Sequence, residues 1–186
     1  MNKDLDIMLK AFPTELEEEI RAIFKLITFK TELYNGGTFD AYVNNEILHI
    51  PERIYYEDIA VNSEGALSQV QIHILDCFFT RHYNGYIRQR KLNDIFNGRT
   101  VYSWSIPYIV RLMGEYVVEI LDDINNNIEI IDEISLKEFI GNNQKFMLTT
   151  EGRIASYWGE FYRLEYQKDH YVGFKIKKYI QSLRKN

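Results

Sequence analysis

Residues 105–127, SIPYIVRLMGEYVVEILDDINNN, decide how the chain is read. Val110, Met113, Val117, Ile120, Leu121 and Ile124 recur at three- and four-residue spacing, which places them on one helix face. Ser105 stands where a helix cap is expected. Pro107 falls in the first turn, where its missing amide costs nothing, and three asparagines stop the run. The stretch predicts one helix from Ser105 to about Ile124. On it Glu115, Glu119 and Asp122 sit at i, i+4 and i+7 and share a face.

The same periodicity extends outward in both directions. Towards the C-terminus, Ser135 and Glu138 form a capping box for a short helix ending near Gly141. Thr150 is placed to cap a helix through Arg163, and residues 171–184 carry Ile176, Tyr179, Ile180 and Leu183 on one face. Towards the N-terminus, Ile87, Lys91, Leu92, Ile95 and Phe96 mark a helix closed by Asn97-Gly98. Leu67, Val70, Ile74 and Phe78 mark another, which Asn84-Gly85 ends. A first helix over about 15–34 carries the T-x-x-E box of Thr14 and Glu17 and ends at Asn35-Gly36-Gly37.

Only residues 39–57 break the helical pattern. They are rich in β-branched and aromatic side chains, Asn44-Asn45 supplies a turn, and Pro51 confines the second strand to an edge or interrupts it. A small antiparallel hairpin packed on helices is expected there, because an isolated hairpin is marginal. The fold class read from this pattern is mainly α, with about seven packed helices and the hairpin. With no low-complexity linker in 186 residues, the reading is a single domain over 1–186. Residues 105–116 and 150–161 echo each other at a 45-residue shift, matching Ile109 with Ile154 and Gly114 with Gly159. That period falls in the range of HEAT-type helix pairs.

Composition narrows the function classes. The chain is 46% hydrophobic and 26% charged, enough apolar content for a packed core. One cysteine, Cys77 in the apolar run ILDCFF, rules out an intrachain disulfide and a thiolate zinc site. The acidic N-terminus lacks a signal-peptide pattern, and no apolar run approaches a membrane span, so a cytoplasmic protein without a membrane partner is expected. The four histidines are scattered and no Glu-x-x-His occurs, so no metal and no cofactor is expected. There is no G-x-S-x-G, P-loop, G-x-G-x-x-G or H-E-x-x-H, and the reading leans away from an enzyme.

Charge is arranged in blocks. Net charge is -5, yet RHYNGYIRQRK (81–91) holds four fixed positive charges and no acid. Residues 115–136 hold seven acids and no base, while the segment from Arg163 onward holds seven bases against two acids. Such alternation points to internal pairing first and a partner surface second. Two outcomes follow for the basic corner. Arg88 or Arg90 pairs with Glu115 or Glu119 and pins two helices. Alternatively, Arg81, His82, Arg88 and Arg90, with Tyr83 and Tyr86 as stacking rings, join Lys175, Lys177 and Lys178 in gripping nucleic acid. A pI near 5.5 disfavours the second. Trp158 lies in an aromatic run (156–163) read as a core-facing stripe.

The leading functional expectation is therefore a protein-interaction module that does no chemistry. One form of it is an acidic inhibitor or immunity-type protein masking a basic partner with residues 115–136. Its binding candidates are the corner residues above together with Glu115, Glu119, Asp122 and Trp158. The alternatives are a nucleic-acid binder and an enzyme with residues gathered only in space.

Overall fold

The computed structural model describes residues 3–27, 29, 37–57, 67–98 and 100–184. Among these it is mainly helical, with nine α-helices and one two-stranded antiparallel hairpin. The chain divides into two compact units, Met1–Ile95 and Phe96–Asn186. Among the described residues no helix is long and apolar enough to cross a membrane.

The first unit opens with α1 (Lys3–Ala11), then a single 3-10 turn (Thr14–Leu16) running into α2 (Glu17–Leu26). The sequence reading had no helix at α1, although Met8, Ala11 and Phe12 are buried. The expected Thr14–Glu17 box does not form. The Thr14 amide and hydroxyl instead both donate to the Glu46 carboxylate, at 3.0 and 2.9 Å, tying the start of α2 to the hairpin. The helix ends at Leu26, earlier than expected; the Asn35-Gly36 part of the expected stop lies outside the described residues.

Strands β1 (Thr38–Val43) and β2 (Glu46–Pro51) pair in the register Thr38 to Pro51 through Val43 to Glu46. Asn44 and Asn45 have φ of 51° and 65°. Two consecutive left-handed residues give the turn whose twist matches the strands, and asparagine tolerates that region better than most residues. β1 buries Ala41 and Val43, and β2 buries Leu48 and Ile50, leaving Tyr42 and His49 exposed between them. α1 covers this face against β2. Helix α3 (Gln69–Phe79) is buried from His73 to Phe79 and packs on α2. Ser68 and Gln71 cap it reciprocally. Cys77 is buried within it, where burial pushes the thiol pKa well up, so it is an inert apolar filler. α3 ends at Phe79, before the expected Asn84-Gly85 break, and Gly85 instead opens α4 (Gly85–Asn97).

In the second unit the long helix expected over 105–124 is broken. It forms α5 (Ile106–Leu112) and α6 (Val118–Asn127). Ser105 gives no side-chain cap; its hydroxyl donates to the Tyr102 carbonyl at 2.7 Å inside a 3-10 turn. The break has a packing cause. A methyl on Gly114 would lie 3.3 Å from both Arg153 Cβ and the Thr150 carbonyl, so the chain there approaches α8 (Gln144–Tyr157) backbone to backbone. Asp132, not Ser135, caps α7 (Glu133–Asn142): its carboxylate accepts from the Ser135 amide and hydroxyl, each at 2.8 Å. Thr150 is mid-helix, and α8 starts earlier than expected. A π-turn (Trp158–Tyr162) follows, then α9 (Val172–Leu183), which packs on α6 and α8. Glu151 on α8 anchors α9, receiving Arg184 at 2.6 Å and Gln181 at 2.8 Å.

Candidate functional site

The basic corner is built around main-chain carbonyls. Ile54 and His82 form a lone parallel bridge, which brings the segment after β2 against the end of α3. Arg81 is 0% exposed. Its guanidinium donates to the carbonyls of Pro51 (3.3 Å) and Glu52 (2.8 Å) and lies 5.5 Å from the Phe39 ring centre. Arg88, 1% exposed, donates from Nη1 to the carbonyls of His82 (3.0 Å) and Tyr83 (2.8 Å). His82 is buried too. Its Nδ1 accepts from the Asn84 amide at 3.0 Å, which leaves Nε2 to carry the proton and donate to the Tyr56 carbonyl at 2.8 Å.

These geometries place Arg81, His82 and Arg88 inside the protein, where they do not face a phosphate backbone. Burial works against the Lys91 charge, but Asp76 at 2.8 Å and Asp94 at 3.2 Å outweigh it and raise its pKa. What the corner exposes is Arg90, the stacked pair Tyr55–Tyr83 (5.4 Å between ring centres) and Tyr86, 85% exposed. The expected pairing of Arg88 or Arg90 with Glu115 or Glu119 would link the two compact units and stands as an expectation.

The acidic row is also rearranged. Glu115 falls in the turn between α5 and α6 and is buried, while Glu119 and Asp122 are exposed on α6. The three therefore do not share a helix face. Desolvation, together with repulsion from Asp123 and Glu119, raises the Asp122 pKa, with Lys175 opposing. Among the described residues no group of histidine, cysteine and acid side chains is arranged to hold a metal ion.

The turn after α8 is the feature that the sequence reading did not anticipate. The Trp158 indole N–H donates to the Tyr166 carbonyl at 3.0 Å. The amides of Glu165 and Tyr166 both donate to the Tyr162 carbonyl. The Tyr162 hydroxyl donates to the Tyr116 carbonyl at 2.7 Å, fastening the π-turn to the turn between α5 and α6. Behind it Tyr171 is fully buried and stacks on Tyr162 at 5.3 Å. Burial first, then Tyr162 and Asp122, pushes the Tyr171 phenol far above its ordinary range. A methyl on Gly173 would lie 2.6 Å from that ring, so glycine is what admits it.

On the outer side, apolar groups face solvent. Phe161 is 56% exposed and Leu164 93%, with Tyr116 and Tyr166 also exposed. The Phe161 ring centre lies 6.1 Å from those of both Tyr116 and Tyr157. Trp158 is half-buried and packs edge-on against Phe174 at 5.6 Å, so it braces this surface from behind. The detectable signal was Leu164 between Arg163 and Glu165: a lone large apolar residue in a polar turn.

A groove of about 390 Å³ lies between Ile140, Leu148 and Leu183. Its two cations are already bridged, Lys137 to Glu133 (2.8 Å) and Arg184 to Glu151 (2.6 Å). No carboxylate, histidine or hydroxyl lines it, and Lys137, the lining group of acid-base or nucleophilic type, is engaged by Glu133. Comparison with protein families, curated proteins and solved structures finds no match for this chain.

Proposed function

We propose that this protein is a protein-interaction module that performs no chemistry, with an acidic surface suited to a basic partner. The observation that carries this reading is the braced turn at 157–166, where Phe161, Leu164 and Tyr166 stay exposed beside the acid-rich segment 115–136. Exposed apolar clusters rimmed by charge are typical of contact surfaces. Masking of a basic partner, as an inhibitor or immunity-type protein does, is one form this takes. The inward-facing Arg81 and Arg88 weaken the nucleic-acid alternative, and the groove described above gives an enzyme little to work with.

The test is capture of partners by the immobilised chain from lysate of its source organism, with and without nuclease, over a salt series. One stoichiometric protein retained after nuclease treatment supports the module. Recovery of nucleic acid alone, released by moderate salt, overturns it in favour of the phosphate-binding alternative.

A further inference from the structure

Resting on that reading, we propose that the outer face of the 157–166 turn, with Tyr116, is the docking surface, and that its occupant is a protein segment combining apolar and cationic side chains. Three observations carry this. The first is apolar exposure on a fixed frame: Phe161, Leu164, Tyr116 and Tyr166 face solvent, yet Trp158 and Tyr162 pin the backbone on both sides of the turn. Rigid aromatic anchors lose little freedom on binding, which is why such residues dominate the energetics of interfaces.

The second observation is charge. Glu160 and Glu165 are exposed on the turn itself and Glu119 and Asp122 on α6, within a segment of seven acids and no base. Glu119 and Glu165 both act electrostatically on the Tyr162 phenol, which places these acids around the aromatic surface. The third concerns the nearby bases: Arg163 on the turn and Lys175 near Asp122 offset part of the acid charge, but others already have companions. Lys178 bridges to Asp169 (3.3 Å), Lys177 lies 3.7 Å from Glu151, and Lys168 sits 5.2 Å from the Phe174 ring centre. An incoming arginine or lysine meets carboxylates at the rim and exposed ring faces on which a cation is attracted. A phosphate backbone meets repulsion.

The test uses the full chain, isotope-labelled for amide spectra, and two synthetic probes: a peptide alternating arginine and leucine, and its glutamate–leucine counterpart. The arginine peptide is expected to move the amides of 116–119 and 158–166, and to bind at least tenfold tighter than the glutamate peptide. Phe161→Asp and Leu164→Asp are expected to weaken it at least tenfold with unchanged melting temperature. Equal binding of both peptides overturns the proposal. So does full affinity in the two variants, or movement confined to residues around Tyr55 and Tyr86. Concentration-dependent movement of the same amides without peptide would assign the surface to a second copy and overturn the stated occupant. Capture with Phe161→Asp separates the two levels. A partner retained by the variant sinks this surface but leaves the interaction module standing, whereas no protein captured by the unaltered chain sinks both.

Discussion

The corner at 81–91 and the turn at 157–166 handle the same problem in opposite ways. Both are irregular backbone between helices, with carbonyls that need donors. In the corner, long side chains meet that need: Arg81 and Arg88 fold inward onto four carbonyls, and tyrosines are left outside. In the turn, the amides of Glu165 and Tyr166 serve the Tyr162 carbonyl and the Trp158 indole serves that of Tyr166, while Phe161 and Leu164 stay exposed. Exposure therefore follows which groups the backbone requires, not which residues are polar. A basic run can be structural, and an aromatic run can be surface.

The largest effects are expected at the corner. Arg81→Ala and Arg88→Ala should each lower the unfolding free energy by about 2–4 kcal/mol, because buried carbonyls lose charged donors. Arg90→Ala, on the exposed side, should change it by about 0.5 kcal/mol or less. Lysine at position 81 should recover less than half of the loss, since one ammonium does not reproduce the planar fork. Chemical denaturation of the four variants checks all of this. Unchanged stability in both Arg88→Ala and Arg90→Ala would also remove the expected pairing with Glu115 or Glu119.

An acid titration sharpens the contrast between the units. Burial lowers the His73 pKa from 6.5 to about 4. Between those values the unfolded chain binds a proton that the folded chain refuses. Stability is therefore complete above about pH 6.5 and falls as the pH drops towards 4, by at most about 3 kcal/mol for this group. Urea midpoints across that window should show the loss, and His73→Gln should flatten it. In the second unit the buried phenol of Tyr171 keeps its proton throughout the same window.

Smaller again is Gly173→Ala, where the added methyl meets the Tyr171 ring at 2.6 Å and Ile154 at 3.0 Å. Overpacking there should cost about 1–3 kcal/mol, while Gly159→Ala, facing open space, should cost almost nothing. A melt of the two variants decides it. The smallest stability effect is expected for Phe161→Asp and Leu164→Asp, whose consequence should be confined to binding.

How much of this was legible follows from the range of the forces. Helical periodicity marked α3, α4 and α9, because an apolar face repeats within one element, whereas α7 was read from a Ser135–Glu138 box whose place Asp132 takes. The hairpin was legible because Asn44-Asn45 names its own turn. Caps were less so: Thr14 had a local acceptor role available, yet Glu46, thirty-two residues on, took its donors. The break at Gly114 answers to α8, which the spacing over 105–124 does not encode. The direction of Arg81 was illegible for the same reason, since its acceptors are the carbonyls of Pro51 and Glu52 across the unit, whereas Arg88 turns back onto the nearby carbonyls of His82 and Tyr83.

The most direct test of this inversion is urea unfolding of Arg88→Ala beside Phe161→Ala. The account predicts a loss of about 2 kcal/mol or more for the arginine variant and about 0.5 kcal/mol or less for the phenylalanine variant. A stable Arg88→Ala with a strongly destabilised Phe161→Ala would contradict it, returning the corner to the surface and the turn to the core.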